Sequence, residues 1–206
     1  MRLAVDRADD PRNISFISAG SSIGAELYGL AALYEGHMEA EGYDVNRLAL
    51  ETARRGVYKV LNQGYPGDRP SEEILEELGF AVLDEPPEGI GAVTPPAAIV
   101  SAAPLRERHD IRFIEHDLTK PLPREKPADL ILVNNILHLV KLDDAVEITR
   151  NLGRVLADSG VLSMGEPGMI EPPSYRLEAT DLLAEEFGIM PLVRDEAGQP
   201  IMFGKS

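Results

Sequence analysis

The 206-residue chain contains no cysteine. That excludes a disulfide framework, a thiolate metal site and a cysteine nucleophile. It fits a reducing compartment, and the cytoplasm is the expected location. Tryptophan is also absent, and aromatic residues make up only 5% of the chain, too few for a base-stacking surface. Cations are scarce: 20 Lys and Arg stand against 35 Asp and Glu, for a net charge of −15. So acidic a chain lacks the basic face by which proteins hold nucleic acid, and anionic membranes repel it. Neither partner is expected. No run of about 18 apolar residues is present, so no transmembrane helix is expected. Met1–Asp10 lacks the apolar core of a signal peptide. The phosphate loop G-x-x-x-x-G-K-[ST] and the dinucleotide fingerprint G-x-G-x-x-G are both missing, which argues against ATP-type and NAD or FAD sites.

What is there reads as an ordinary soluble domain, with 44% hydrophobic and 27% charged residues. The length suits a single domain over residues 1–206. The first 13 residues are polar, contain Pro11 and read as an extended lead-in. Ile14–Ser18 is a short apolar run expected to be a buried strand. It enters the small-residue turn Ala19-Gly20-Ser21-Ser22-Ile23-Gly24, and a helix to about Glu35 follows. His37–Asp44 reads as the second strand, although its acids weaken the apolar signal. Asn46 is placed to cap a helix that runs to Arg55 and stops at Gly56.

The stretch at about 59–110 is rich in Pro and Gly and reads as an irregular insertion. Within it Ser71–Leu78 is a short capped helix closed by Gly79, and Pro86-Pro87 and Pro95-Pro96 mark loops. Ile111–Glu115 and the near-continuous apolar run Ala128–Val133 are the third and fourth strands. A helix over Asp143–Ala157, a turn at Asp158-Ser159-Gly160, a strand over Val161–Met164 and a helix near Tyr175–Phe187 follow. Two strands at Ile189–Val193 and Pro200–Phe203 finish the chain. Alternating strands and helices imply an α/β sheet with helices on both faces.

In such sheets ligands bind at the carboxyl ends of the strands. Three features fall there. The turn Ala19–Gly24 lets a ligand approach the backbone closely. Asp44 ends the second strand, 20 residues after Gly24, where an acid either grips ribose hydroxyls or caps the next helix. Asp117-Leu118 and Asn134-Asn135 follow the third and fourth strands and can frame a base and the reacting end of a cofactor.

These residues resemble a family. Ser18–Tyr28 (Ser-Ala-Gly-Ser-Ser-Ile-Gly-Ala-Glu-Leu-Tyr) is similar to the S-A-x-x-S-T-G-E-E-P-Y motif of the CheR-type chemotaxis-receptor glutamate methyltransferases. Tyr43-Asp44-Val45-Asn46, followed by Ala53-Arg54-Arg55-Gly56-Val57-Tyr58, resembles their S-D-I-D…A-R-x-G-x-Y. Ile111–Leu118 and Asp129–Asn135 resemble their third and fourth strands. The resemblance implies a Rossmann-like class I methyltransferase fold: a seven-stranded, mostly parallel sheet in the order 3-2-1-4-5-7-6, with the last strand antiparallel.

It also implies S-adenosylmethionine as cofactor. Ala19, Gly20 and Gly24 form the cofactor loop, with Glu26 beside it. Asp44 and Val45 lie at the ribose, Asp117 and Leu118 by the adenine, and Asn134 and Asn135 near the cofactor's reacting end. Three positions depart from the family: Ala25 replaces its first Glu, Asn134 replaces the Arg before its Asn, and Leu139 replaces its downstream Tyr.

The implied activity is methyl transfer to a protein carboxylate or a small molecule. His138 is the expected base for an acceptor that must lose a proton. A second reading, a methyltransferase fold that has lost catalysis and serves as a binding or scaffold module, draws on Ala25, Asn134 and the lack of the family's N-terminal helical domain, whereas Asp44 and Asn135 speak against it. The other histidines carry no expected role: His116 should face away from Asp117, and His37 and His109 should lie in solvent. The dispersed histidines give no metal signature, and no metal is expected.

Overall fold

A computed structural model describes residues 1–60, 72–84, 98–134, 136–164, 173–194, 198 and 200–205, with the backbone alone for 138 and 173–178. In chain order the elements are α1 (Arg2–Arg7), β1 (Asn13–Ala19), α2 (Ala25–Leu33), β2 (His37–Asp44), α3 (Arg47–Arg55), β3 (Val57–Val60), α4 (Glu72–Glu77), β4 (Ala81–Leu83), β5 (Ala98–Ser101), α5 (Ala103–Arg108), β6 (Asp110–Glu115), β7 (Ala128–Val133), a 3-10 turn (Leu137–Leu139), α6 (Leu142–Val155), β8 (Leu156–Ser163), α7 (Pro173–Phe187), β9 (Ile189–Arg194) and β10 (Pro200–Lys205).

Seven strands form one sheet in the order β6-β2-β1-β7-β8-β10-β9. Counted within this sheet alone the order is 3-2-1-4-5-7-6. Whole-chain numbering departs from it because a second, three-stranded sheet intervenes. β10 runs antiparallel to β8 and β9, and the other pairs are parallel. β1 is buried at every residue but its first, as a central strand covered on both faces should be.

Two apolar clusters mark the two faces. Ile14, Phe16, Met38, Ala40 and Leu130 pack with residues of α1, α2, α3 and α5. Ile17, Ala19, Ile131 and Val133 pack with residues of α6 and α7. The strand period of two sends alternate residues of β1 to opposite clusters.

The link from β6 to β7, residues 116–127, contains no helix. It crosses the sheet as a strap. Leu118 and Leu122 bury into the second cluster. The largely buried Arg124 pairs with Glu41 at 3.2 Å and donates to Ser15 Oγ at 2.7 Å, and Lys126 pairs with Glu39 at 2.8 Å. The acids that weaken the apolar signal of β2 therefore have a physical role. They face the half of the sheet that a strap covers in place of a helix.

Several expectations need correction. The N-terminal lead-in forms α1, because Ala4 buries completely and Arg7 anchors the helix by donating to the carbonyls of Ser159 and Lys205. The insertion is not irregular throughout: β3, β5 and β4 form an antiparallel sheet, and Leu75 of α4 buries against it. Gly79 closes α4 at φ +83° as expected, whereas Ser71 and the two Pro-Pro loops lie outside the described residues. Asp158-Ser159-Gly160 is not a turn. β8 runs through it as a bulge, with four residues, 157–160, opposite Asp129 of β7 between the pairs Ala128↔Leu156 and Leu130↔Val161.

His109 is not solvated. It is 2% exposed, with Nε2 on the Ala31 carbonyl and Nδ1 accepting from the Met38 N–H. That arrangement needs the neutral ring, and burial holds its pKa below the usual histidine value. The native state then binds less proton than the unfolded chain. Its contribution is complete above about pH 6.5 and is lost as pH falls below that. Urea denaturation at pH 7 and pH 5 is expected to show a larger loss of stability for wild type than for His109→Gln. Equal losses would show that the ring titrates normally.

Candidate functional site

The site is built where β1, β2 and β7 end, beside the point at which the strand order reverses. Leaving β1, the chain makes a compact turn. The N–H groups of Gly20 and Ser21 both donate to the Tyr43 carbonyl, at 2.8 and 2.9 Å, and Gly24 N–H donates to the Ser21 carbonyl at 2.8 Å. Three residues adopt positive φ: Gly20 at +73°, Ser22 at +48° and Gly24 at +80°. Glycine suits such angles, whereas Ser22 holds one with a Cβ.

Asp44 organises the turn. Its Oδ2 accepts from Ser22 N–H at 2.8 Å and its Oδ1 from Asn46 N–H at 2.7 Å, while its carbonyl accepts from His116 N–H at 2.9 Å. The cap of α3 is Asn46, whose Oδ1 accepts from Leu48 and Ala49 N–H. The choice between ligand acid and helix cap is thereby narrowed: Asp44 does not cap α3. It ties together the exits of β1, β2 and β6. A carboxylate has about four lone-pair sites, so two donors leave room for two more. Val45 beside it is 66% exposed.

Glu26 sits in the first turn of α2. Its carboxylate accepts from Asn134 Nδ2 and lies 3.5 Å from Ser18 Oγ, linking the ends of β1 and β7. Asn134 Oδ1 is buried without a partner, and so is Ser21 Oγ. Asp117 is exposed and folds its own turn, accepting from Thr119 N–H and Oγ1 at 3.0 and 2.7 Å; the Thr119 hydroxyl holds its carboxyl below the usual range. Leu118 is a core side chain, and Asn151 Nδ2 takes its carbonyl at 3.0 Å. His116 packs edge-on to Tyr43. His138 lies on the 3-10 turn after β7, where only its backbone is described, and Asn135 falls outside the described residues.

The structure thus brings Ala19, Gly20, Gly24, Glu26, Asp44 and Asn134 to one edge of the sheet. Sequence reasoning missed the aromatic floor under the turn. Phe113 stands 2.6 Å from where a Cβ on Gly24 would lie and 2.7 Å from one on Gly42. Tyr28 packs on Phe113, and Tyr58 on Tyr28, with ring centroids 5.6 and 5.9 Å apart. It also missed Ile136, whose Cγ2 would be 2.1 Å from a Cβ on Gly20. A glycine facing a bulky residue far along the chain leaves no local signal.

No protein-family model matches the chain, and no curated protein matches it by sequence. Solved structures do match it in shape. An O-methyltransferase from neocarzinostatin biosynthesis, solved with S-adenosylmethionine and a naphthoic acid, gives a TM-score of 0.54 at 13% identity over 98% of this chain and 52% of its own. Magnesium protoporphyrin IX methyltransferase from Synechocystis PCC 6803, with bound S-adenosylmethionine, gives 0.53 at 12% identity over 94% of this chain and 71% of its own. StiE O-MT gives 0.52 at 17% identity, over 94% and 52%. The chain has a Rossmann-like methyltransferase fold. It spans about half the length of two of these three structures.

In this methyltransferase fold the glycine turn is the part least tolerant of added bulk. Gly24→Ala puts a methyl group against Phe113 at a positive φ, and overpacking of that kind costs about 1–3 kcal/mol. Urea denaturation is the measurement. A loss below about 0.5 kcal/mol would mean that the turn and Phe113 move apart readily.

Proposed function

We propose that this chain binds S-adenosylmethionine at the carboxyl ends of β1, β2 and β7 and transfers its methyl group to a carboxylate or small-molecule acceptor. The observation that carries the reading is the pairing of Asp44 with the glycine turn at the strand-order reversal, where α/β sheets bind ligands. The residues fit the cofactor. Asp44 keeps free lone pairs for ribose hydroxyls, and the unpartnered Oδ1 of Asn134 is an acceptor awaiting a donor. The resemblance of Tyr43–Asn46 and Ala53–Tyr58 to the chemotaxis-receptor methyltransferases points the same way.

In this reading Asp44 and Val45 hold the ribose end and Asp117 and Leu118 the adenine. The main chain of Ala19–Gly24, together with Glu26, Asn134 and Asn135, holds the amino-acid end. When bound, the cofactor supplies a methyl group already activated on a sulfonium. The chain's task is to position the acceptor in line with it and exclude water. The net charge of −15 favours a cationic ligand over an anionic one. A carboxylate acceptor is ionised at neutral pH and needs no base. For a phenol or amine, His138 is the residue assigned to take the proton.

One observation favours a second reading, a binding module without turnover. Ile136 fills the space over Gly20, and Glu26 is already bonded to Asn134, so protein groups occupy two positions of the loop.

Calorimetric titration with S-adenosylmethionine and S-adenosylhomocysteine, on protein shown by mass spectrometry to carry neither, tests the proposal. Saturable binding with a rise in melting temperature is expected. Asp44→Asn should weaken it roughly ten- to a hundredfold, as loss of charged hydrogen bonds does. No binding by folded wild type would overturn the reading. Where binding holds, His138→Ala is expected to lower kcat on a hydroxyl or amine acceptor and leave cofactor affinity unchanged. An unchanged kcat would remove His138 from the mechanism.

A further inference from the structure

The inserted sheet touches the candidate site at one hydrogen bond that the proposed chemistry does not use. Tyr58 lies on β3, the first strand of the insertion, and its hydroxyl donates to the Ile23 carbonyl at 2.7 Å. Ile23 sits between Ser22 and Gly24, the two positive-φ residues at the far side of the turn. The other holds on the turn come from the parent sheet: the Tyr43 carbonyl and the Asp44 carboxylate. These secure the first half, from Gly20 to Ser22. The second half rests on Gly24 N–H to Ser21, on the aromatic floor, and on Tyr58.

The ring of Tyr58 is itself fixed. It packs edge-on to Tyr28, whose hydroxyl donates to the Ala53 carbonyl at 3.0 Å, and Tyr28 packs on Phe113 beneath Gly24. β3 pairs with β5 through Val57–Val60, opposite Ser101–Ala98. The Tyr58 hydroxyl is therefore presented by a paired strand at one end and a buried aromatic stack at the other. A donor held in this way loses little further freedom in making its bond.

We infer that Tyr58 is a positioning residue: through the Ile23 carbonyl it sets the far half of the glycine turn in the shape that the cofactor meets. The inference rests on the S-adenosylmethionine reading above and goes beyond it by coupling the inserted sheet to the cofactor loop. It accounts for an interaction that packing alone does not require. The ring is already seated on Tyr28, and a phenylalanine would fill the same space.

The test compares three variants with wild type by S-adenosylhomocysteine titration, unliganded melting temperature and amide hydrogen exchange over residues 20–24. Tyr58→Phe removes only the hydroxyl. It is expected to weaken binding about fivefold, the effect of one neutral hydrogen bond, and to speed exchange in the turn. Val82→Ala loosens the inserted sheet away from the turn. It should lower the melting temperature and leave affinity unchanged. Asp44→Asn reports on the cofactor reading itself. Absence of binding by wild type sinks that reading, while the exchange data still test the role of Tyr58. Normal affinity or normal turn exchange in Tyr58→Phe overturns the positioning role alone. Equal loss of affinity in Val82→Ala also overturns it, since the effect would then be general loosening.

Discussion

The carboxylate of Asp44 is the interaction on which the candidate site depends. Where parallel strands end, their backbone groups lose their sheet partners, and each must find another or face water. Asp44 answers this for two loops at once, with one oxygen on Ser22 N–H and the other on Asn46 N–H. Hydrogen bonds to an ionised acceptor are stronger than neutral ones. One side chain can therefore hold a turn that carries three positive-φ residues in five positions. Its carbonyl adds the third tie, to His116 N–H. With those ties in place the ends of β1, β2 and β6 form one surface, and Asn46 is left free to cap α3.

The turn's shape is set from below as firmly as from the side. Gly24 lies in the turn after β1 and Gly42 within β2, yet both lie against the ring of Phe113 from a third strand. A side chain at either position would displace that ring, and with it Tyr28 and Tyr58. The absence of bulk in the turn is thus a packing constraint as well as a conformational one. The same logic explains Gly20 and Ile136 on the opposite side. Small residues in this loop do two things: they adopt angles that other residues resist, and they let large side chains from β6 and the β7 exit close in.

The sequence disclosed elements whose signal is local. The bounds of β2 and β7, the Asn46 cap and the Gly56 stop all stand as read, because strand runs, caps and left-handed glycines depend on neighbours a few residues away. Elements defined by distant partners were hidden. α1 is a single turn and a half whose anchor, Arg7, reaches Ser159 and Lys205. β3, β4 and β5 are three or four residues each and have meaning only as a pair and a pair. The bulge in β8 reads locally as a turn, since Asp-Ser-Gly is turn chemistry, and only its pairing with β7 makes it strand. The site divides the same way. Gly24 and Asp44 could be found by position at strand ends. The contacts that make them work, from Tyr43, Phe113 and Tyr58, lie on other elements.

The two halves of the sheet are built on different physics. On the β7–β8 side the sheet is closed by α6 and α7, and the core there is apolar. On the β2–β6 side the strap of residues 116–127 replaces a helix, and Glu39, Glu41, Arg124 and Lys126 replace apolar packing. A buried ion pair stabilises less than the apolar contact it displaces, but removing one partner leaves an uncompensated charge. The strap face of that half is therefore held by specific pairing together with burial of Leu118 and Leu122, while its other face packs on the apolar cluster of α2, α3 and α5. The insertion attaches on the same side, through α3, β3 and α5, and it is there that Tyr58 reaches the turn. The link to the cofactor loop is thus local to Tyr58, one hydrogen bond from β3 to the Ile23 carbonyl, and does not extend to the rest of the inserted sheet. The far edge, in β9 and β10, lies three strands from β1 and touches both apolar clusters, through Ile189 and Phe203 on one face and Leu192 and Met202 on the other.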